Sequence, residues 1–424
     1  MTIEAALSTV RPPFDPVSIS PLGFWDSTAE EREKSFKILR DERPISWHPP
    51  IEGTVVPADI DGVWAVTRNE DIAFVSKNPD LFCSRHGVLI EAIPDDVIEA
   101  AMSFLAMDAP QHGATRKLIS SVFTPRQVAT IGDQIKNQAK TIVDDLLAAG
   151  HGDFVQDATK RLPMWTIFEM VGLPEELRDE ALHHADGMLS WADADVAAGR
   201  EPGEVMNDSL VGLLVLGLEL AAQRREHPTT DLTSRLVEAE VDGRKLTDDE
   251  IAAFFVLLAV AGTDTTRNTM AFAAMALQEF PEQRALLVED FDGHIRTAIE
   301  EFVRWATPVM TFRRTATRDT ELGGQHIREG DWVLLMYSSG NRDERVIDDP
   351  HTFDIRRSPN PHIGFGGGGP HFCMGNFLAK MQLEAFFGEL IRRAPNLRLG
   401  EPDYLTSNFF RVVKSMPYTL DEES

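Results

Sequence analysis

The chain has 424 residues, 43 % of them hydrophobic and 26 % charged, which is typical of a soluble globular protein with a large core. A formal net charge of -27 argues against nucleic acid or an anionic membrane surface as a partner. Cys83 and Cys373 are the only cysteines, so there is no disulfide framework and a reducing compartment is favoured. The amino terminus has no signal-peptide pattern, and the longest apolar run, 251–262, is shorter than the ~20 residues of a membrane span. We therefore expect a soluble, cytoplasmic protein without a membrane span.

An extended arm and a small sheet are the first elements expected. Prolines at 12, 13, 16 and 21 predict that residues 1–25 form an extended arm, and a helix follows around 30–40. Clusters of β-forming residues at 44–47 and 63–67 predict two strands. Beyond residue 71 nearly every periodic segment is helical, and no repeat or linker interrupts the chain. One domain spanning 1–424 is expected.

The next segments contain a candidate binding pair and a polar stretch. His112 and Arg116 are four residues apart and therefore share a face if the segment is helical. Two cationic donors on one face suit an anionic ligand, although a solvated surface pair has the same spacing. The stretch 191–208 is polar and weakly patterned, which fits a mobile lid and a plain surface loop equally well.

A long helix is predicted between 247 and 281. Thr247 and Glu250 form a capping-box pattern at its start, and Pro281 ends it. Its first half is apolar on all sides, as a buried central helix requires. Asp264 and Thr265 lie within this apolar stretch, where unpaired polar groups cost several kcal/mol. The Thr265 hydroxyl can bond to the preceding helical turn or serve chemistry, and the two roles are compatible.

Two further patterns precede the cysteine. Glu301 and Arg304 are three residues apart on a predicted helix, a spacing that is also common in surface ion pairs. The runs 309–315 and 332–336 have the composition of strands.

Cys373 lies where a glycine-rich loop meets a helical pattern that extends to residue 390. Such a position predicts a lowered thiol pKa, because free amides and the helix dipole favour the thiolate. Residues 364–369 also satisfy a bare G-x-G-x-x-G, but no strand precedes them, which argues against a dinucleotide site. A buried, inert cysteine is the remaining alternative.

The loop that contains Phe365, the glycines, His371, Cys373 and Gly375 resembles the haem-ligand loop of the cytochrome P450 superfamily. The motifs at 112/116, 264/265, 301/304, 357 and 373 follow the superfamily's order across most of the chain. One extra glycine places Phe365 eight residues before Cys373 instead of the usual seven, a variant shared with an actinobacterial subset acting on sterol side chains and branched lipids. Which glycine amide faces the sulfur stays open. The resemblance implies a mostly α fold, the P450 fold, with a long central helix and a small β-rich region.

The same resemblance implies a haem-thiolate monooxygenase that uses O2 to hydroxylate an unactivated C–H bond of a lipophilic substrate. Cys373 would be the axial ligand of haem b iron, and Asp264 and Thr265 would be the acid–alcohol pair that delivers protons. The other implied haem-contact residues are His112, Arg116 and Arg314 at the propionates, together with His371, Phe365, Gly375 and Gly262, the last leaving room for dioxygen. The implied substrate-pocket residues are Leu89, Val260, Val309, Met310, Phe409 and Phe410. Glu301, Arg304 and Arg357 would form a folding cluster.

The resembled subset favours a branched fatty acid, an isoprenoid or a sterol side chain as substrate. No flavin or iron–sulfur motif is visible, so electrons are expected from a separate ferredoxin and ferredoxin reductase. A basic docking face for the ferredoxin is expected from His112, Arg116, Lys117, Arg126 and Lys380. The alternatives are a haem-based sensor or ligand-sequestering protein without turnover, and a P450 acting on a polyketide or terpenoid secondary metabolite.

Overall fold

The structure, a computed structural model, describes residues 11–101, 103–122, 124–189 and 193–420. Helices dominate it. In chain order the α-helices are α1 (Leu22–Asp26), α2 (Ala29–Glu42), α3 (Asn69–Lys77), α4 (Asp95–Ala101), α5 (Gln111–Val122), α6 (Pro125–Ala129), α7 (Gly132–Ala149), α8 (Arg161–Val171), α9 (Glu175–Leu189), α10 (Ala194–Ala197), α11 (Pro202–Glu226), α12 (Leu232–Glu238), α13 (Asp248–Glu279), α14 (Pro281–Glu289), α15 (Phe291–Ala306), α16 (Tyr337–Gly340) and α17 (Asn376–Arg393). A 3₁₀ turn at Ser103–Ala106 and a π-helical turn at Val155–Thr159 complete the helical elements of the described residues.

The strands are short. They are β1 (Ile45–His48), β2 (Val63–Val66), β3 (Phe82–Cys83), β4 (His151–Asp153), β5 (Glu240–Val241), β6 (Arg244–Lys245), β7 (Thr311–Ala316), β8 (Thr320–Leu322), β9 (Gln325–Ile327), β10 (Trp332–Met336), β11 (Leu397–Leu399), β12 (Asp403–Leu405), β13 (Val412–Ser415) and β14 (Pro417–Leu420). The largest sheet has five strands in the order β1-β2-β10-β7-β3, with only β2 and β10 parallel. The predicted mostly α fold with a small β-rich region is confirmed.

The central element is α13, whose capping box forms as predicted. The Thr247 hydroxyl accepts the Glu250 N–H at 3.2 Å, and the Glu250 carboxylate accepts the Thr247 N–H at 3.0 Å. The helix then continues without interruption for 32 residues. Helices α8, α9, α11, α15 and α17 pack around it, which explains why its first half is apolar on every side.

The predicted amino-terminal arm is shorter than expected. Residues 1–10 lie outside the described part of the chain, and residues 11–21 form neither helix nor strand. Leu22–Asp26, however, form α1, so the extended segment does not continue to residue 25. The approach of α1 to the loop after β1 is close, because a Cβ on Gly53 would lie 2.7 Å from Leu22 Cδ1.

The stretch predicted as a lid or surface loop is largely helical where the structure describes it. Residues 191 and 192 lie outside the described residues. Ala194–Ala197 form α10, and α11 begins at Pro202, a residue well suited to the first turn of a helix. Movement of this stretch stays a prediction.

Helix α11 is long and apolar enough to cross a membrane by length and composition alone. Of its most apolar window, 44 % is buried inside the protein. Leu213 and Leu220 belong to the core that surrounds α13. Core helices of soluble proteins pass the same test, so α11 is only a weak indication of a membrane span.

The carboxylate of Glu301 joins α15 to the segment that leads into the cysteine loop. Arg304 on the same helix donates to both carboxylate oxygens, at 2.7 and 2.6 Å. Arg357 Nε donates to Glu301 at 3.2 Å, and Asn360 Nδ2 donates at 3.0 Å. The Asp354 N–H adds a further bond at 2.9 Å. Glu301 and Arg304 are fully buried, so these bonds replace the water that both charges lose on folding.

Replacing Glu301 by Gln tests this cluster. The variant keeps the shape of the side chain but leaves Arg304 buried without its counter-charge, so we expect a loss of roughly 3–5 kcal/mol in the free energy of unfolding. The measurement is the midpoint of urea unfolding. Asp292→Asn is the control, because the ion pair of Asp292 with Arg392 is exposed and its loss should cost at most about 1 kcal/mol. Equal stability of the two variants would contradict the expectation.

Candidate active site

A cavity of about 1110 Å³ lies between α13 and the loop that carries Cys373. One wall is the stretch of α13 from Phe254 to Thr269, and the opposite wall runs from Ile363 to Leu383. Typical small-molecule sites have roughly 300–1,000 Å³, so this cavity has room for a large cofactor together with a substrate.

The backbone around Cys373 presents two amides to the sulfur. The Cys373 N–H donates to the carbonyl of Phe365 at 3.0 Å, which closes the loop between them. The N–H groups of Gly375 and Asn376 bond to the Cys373 sulfur. Gly375 is the residue before α17 and Asn376 is the first residue of the helix, where helix geometry leaves backbone donors unpaired. The glycine amide that faces the sulfur, left open by the sequence, is that of Gly375.

Burial raises the pKa of the Cys373 thiol, although the Gly375 amide and the Arg116 guanidinium act in the opposite direction. The sequence-based expectation of a lowered pKa is therefore wrong for the protein alone, because the loss of water around the sulfur outweighs the helix terminus. A metal ion bound to the sulfur would reverse the balance, since a coordinating thiol is deprotonated.

The glycines of the loop are required by its conformation and by its neighbour α3. Gly366, Gly368 and Gly369 have φ of 99°, 91° and 74°, a region that residues with side chains rarely adopt. A Cβ on Gly369 would lie 2.2 Å from the carbonyl oxygen of Ser76, and one on Gly367 would lie 2.6 Å from the Ser76 hydroxyl. The loop therefore lies directly against the end of α3.

Four basic side chains from three parts of the chain meet at one end of the cavity. Arg116 and Arg314 line the cavity together with His371, whose ring centroid is 4.2 Å from that of His112. Arg116 Nη2 donates to the Phe372 carbonyl at 2.6 Å, whereas Arg314 Nη1 donates to the Arg313 carbonyl at 2.7 Å. Neither arginine forms an ion pair with a carboxylate among the described residues.

The two imidazole rings of this cluster are buried and neutral. Burial lowers the pKa of both, and the positive charge of Arg116 for His112 and of Arg314 for His371 lowers it further. His371 Nε2 lies 3.3 Å from the Ser84 hydroxyl, but His371 Nδ1 and His112 Nε2 have no hydrogen-bond partner in the described structure. Buried polar atoms are usually bonded, so these nitrogens and the two arginines fit an anionic group that enters from the cavity.

On α13, Thr265 faces the cavity and Asp264 does not. The Thr265 hydroxyl donates to the Ala261 carbonyl at 2.8 Å, the back-bonding considered from the sequence, and the helix stays continuous there. The Asp264 carboxylate is buried beside α13 and pairs with Arg267 at 2.6 Å. Arg267 in turn lies 3.6 Å from Asp186, so the acid is linked to α9.

Gly262 lines the cavity, and the hydrocarbon side chain of Ile167 leaves no room for a Cβ at this position. A Cβ on Gly262 would lie 2.6 Å from Ile167 Cδ1, which belongs to α8. The glycine therefore allows α13 and α8 to approach closely, a role that differs from the expected one of leaving room for dioxygen.

Five of the predicted pocket residues line the cavity: Leu89, Val260, Val309, Phe409 and Phe410. The sixth, Met310, does not. It is buried among Ile19, Trp25 and Met336 in a separate core cluster. Successive side chains of an extended segment point to opposite sides, so Val309 and Met310 cannot both face the cavity. The predicted pocket position of Met310 is therefore wrong.

Several lining residues were missed. They are Phe104, Ile167, Leu210, Phe254, Leu258, Phe312 and Leu405. Phe254 and Leu258 lie eleven and seven residues before Thr265, the spacing of one helix face, and this signal identifies them in the sequence. The others come from separate elements, and only the folded chain brings them together.

Comparison with known proteins gives the same assignment as the cysteine loop. A family profile for Cytochrome P450 matches residues 218–394. Over 99 % of its length the chain is 40 % identical to a methyl-branched lipid omega-hydroxylase from Mycobacterium tuberculosis (strain CDC 1551 / Oshkosh), of which it covers 100 %. The chain belongs to the cytochrome P450 family.

Two further P450s are similar over most of their length. The chain is 39 % identical to a steroid C26-monooxygenase from Mycolicibacterium smegmatis, with 89 % of this chain and 87 % of the relative covered. The solved structure of Mycobacterium marinum cytochrome P450 CYP268A2 in complex with pseudoionone superposes with a TM-score of 0.93, at 52 % identity, and covers 97 % of this chain and 100 % of the other. The predicted family, fold and monooxygenase activity are confirmed.

P450 proteins bind haem b, and the residues at this site fit that group. The cavity offers a sulfur at one wall and, at its edge, two arginines that pair with no carboxylate in the part of the chain that the structure describes. The unpartnered nitrogens of His112 and His371 lie in the same cluster. A porphyrin with two propionates supplies acceptors for these donors, and its iron supplies the positive charge that the buried thiolate needs.

The buried acid on α13 gives this P450 a testable pH dependence. Burial raises the pKa of Asp264 from 3.8 to about 6, so the folded protein binds this proton more tightly than the unfolded chain. The ionised form therefore destabilises the fold, and acidification from pH 7.5 to 5 relieves about 1 kcal/mol of that cost. Asp264→Asn lacks this proton, and the wild type should gain that much stability relative to it across the window. Parallel stability curves for the two proteins would contradict the assignment.

Proposed function

We propose that this P450 hydroxylates an unactivated C–H bond of a branched fatty acid, an isoprenoid or a sterol side chain. Relatives named methyl-branched lipid omega-hydroxylase and steroid C26-monooxygenase support this class of substrate. The observation that carries the proposal is the shape of the cavity, which runs from Thr265 and Cys373 to exposed residues such as Leu22 and Tyr404. A lipid chain can lie along this path with one end at the cysteine and the other near solvent.

The apolar lining of the path suits a hydrocarbon. Phe254, Leu258 and Val260 on α13 face Val309 and Phe409 from the segments around β7 and β13. Burial of apolar surface contributes roughly 25 cal/mol per Å², so a long chain gains several kcal/mol from this wall alone. Such contacts bind the hydrocarbon chain of the lipid but do not contact its polar end. The residues at the opening of the cavity therefore determine which polar head groups bind.

We assign the haem contacts as follows. Cys373 is the iron ligand, and the amides of Gly375 and Asn376 stabilise its negative charge. Arg116 and Arg314 bind the propionates, with the neutral rings of His112 and His371 as additional donors. The haem, when bound, supplies the activation of O2 and the oxidation of the C–H bond. Phe365 belongs to the same loop as the cysteine, and the centroid of its ring lies 5.2 Å from the Lys380 ammonium nitrogen.

Proton delivery is assigned to Thr265 and Asp264 as a relay. The Thr265 hydroxyl lies at the cavity wall and donates its proton to the Ala261 carbonyl. Rotation of the hydroxyl would direct this proton into the cavity instead. Asp264 has a pKa of about 6, close to the operating pH, which suits a group that takes and returns protons. Its ion pair with Arg267, which lies 3.6 Å from Asp186, holds the acid on the side of α13 that faces α9.

Ferredoxin is the proposed electron donor, and its docking face is proposed around α6 and the start of α17, which pack on each other. Arg126 is exposed there, and Phe372 and Phe377 are exposed apolar residues of the same region. Lys117 is exposed on α5, where it pairs with Asp242 at 3.2 Å. His112, expected as part of this face, is buried and is not available. A cytoplasmic location, where ferredoxins and reduced cysteines occur together, belongs to the same proposal.

The two cysteines provide a matched test of the haem assignment. Cys373→Ser should abolish the ferrous carbon-monoxide band of thiolate-ligated haem. Cys83→Ala should retain it, because Cys83 is buried in β3 away from the cavity lining. The same holoprotein, titrated with branched lipids, should show a low- to high-spin shift and yield hydroxylated product with ferredoxin and reductase. A Cys373→Ser variant with an unchanged spectrum would refute the proposal.

The docking face is tested by reversing one charge. Arg126→Glu should raise the KM for ferredoxin by roughly fivefold at low salt, and the difference should shrink as ionic strength increases. Lys34→Glu on α2 is the control, since it makes the same charge change away from α6 and α17. Equal effects of the two substitutions would show that net charge alone matters and would remove the assigned face.

A further inference from the structure

The opening of the cavity is a ring made of four segments that are distant in sequence. Leu22 of α1 contacts the loop at Gly53, and in the same loop Val55 Cγ1 would lie 3.6 Å from a Cβ on Gly203 in α11. Asp26 at the end of α1 accepts a hydrogen bond from the Thr406 hydroxyl, which closes the ring on the turn after β12. All of these residues line the cavity, and several of them are exposed to solvent.

The charged side chains that line the cavity are divided by sign. The basic ones, Arg116 and Arg314, lie at the haem end with His371. The acidic ones lie in the remaining lining and are Asp26, Glu91 and Asp193. No lysine or arginine joins them in the lining formed by the described residues. The residues whose side chains the structure does not describe contain no lysine, arginine or histidine that could join them either.

Two of these three acids form no ion pair among the described residues, although the buried Arg32 guanidinium interacts electrostatically with Asp26 and offsets part of its charge. Asp193 is paired with Lys414 Nζ at 2.7 Å, which offsets its charge. The Asp26 carboxylate is bonded to a hydroxyl group, and Glu91 Oε2 accepts the Val56 N–H at 2.8 Å. Neutral donors hold these two carboxylates in place, and one nearby arginine against two acids leaves an excess of negative charge at the opening. Glu91 lies beside the loop of residues 53–56, so both charges border the same opening.

A free fatty acid would place its own carboxylate in this region. Two negative charges ~6 Å apart repel each other enough to weaken binding by roughly threefold to a hundredfold, depending on how much water screens them. A hydroxyl group at the same place can donate to Asp26 or Glu91, and a carbonyl can accept from the Asn207 amide, which also lines the opening. The ring therefore favours uncharged polar ends.

We propose that this P450 takes its lipid as a neutral molecule, such as an alcohol, ketone or ester, and discriminates against the free carboxylate of the same chain. The selection is made by Asp26 and Glu91, at the end of the cavity opposite the reacting carbon. It rests on the proposed function, because it presumes a branched lipid that lies along the cavity, and it narrows the three substrate classes to their uncharged members.

The test compares three molecules with one hydrocarbon chain: farnesol, farnesoic acid and methyl farnesoate. Their dissociation constants are measured on the holoenzyme from the low- to high-spin shift at neutral pH, where the acid is ionised. We expect the alcohol and the ester to bind at least tenfold more tightly than the acid. Comparable binding of acid and ester would overturn the selection while leaving the proposed function intact. Failure of all three to shift the spin state, along with other branched lipids and sterols, would overturn the proposed function itself.

Variants assign the effect to the ring. The double substitution Asp26→Asn and Glu91→Gln keeps both hydrogen-bond acceptors and removes both charges, so the ratio of acid to ester dissociation constants should fall by roughly tenfold. Asn207→Lys places a cation at the opening and should lower the ratio in the same direction. Glu289→Gln at the end of α14 removes an exposed charge that lies outside the lining and should leave the ratio unchanged. A ratio that responds to Glu289→Gln as strongly as to the double substitution would refute the assignment to the ring.

Discussion

One carboxylate, that of Glu301, organises the part of the molecule that carries the cysteine. Its bonds to Arg304 and Arg357 hold α15 against the chain that follows β10, and Asn341 continues the connection by accepting the Ile363 N–H at 2.8 Å. The segment that enters the cysteine loop is therefore fixed at several points before it reaches the cavity. A buried charge of this kind is costly unless every partner is present, so the cluster couples the position of the sulfur to the completion of the fold.

The parts of this structure that the sequence predicts well are those set by local patterns. The capping box at Thr247 fixes where α13 begins, and the apolar face of α17 follows from spacing after Cys373. Strand composition places β1, β2, β7 and β10 within a residue or two. The pairing of Glu301 with Arg357 is predicted only through the resemblance to the P450 family, because nothing local in the sequence shows that residues 56 positions apart will touch.

The parts that the sequence does not predict depend on burial and on contacts between distant segments. The family resemblance implies a pocket position for Met310 as well as for Val309, and only the register of the extended chain separates the two. The pKa of the Cys373 thiol is raised, whereas its position at a helix terminus predicts a lowered pKa. The local sequence does not show how completely the folded chain excludes water from the sulfur. The opening of the cavity is assembled from four separate segments, so its charge is visible only after folding.

The glycine loop has a consequence for how such a site can change. Its backbone is confined between the sulfur on one side and the last turn of α3 on the other, with Ser76 within van der Waals reach of two glycines. Adding or deleting one glycine therefore shifts the contact with α3 as well as the approach to the metal. Loop length and the sequence of α3 should be exchanged together when this loop is grafted onto another scaffold, since either half alone leaves the two surfaces mismatched.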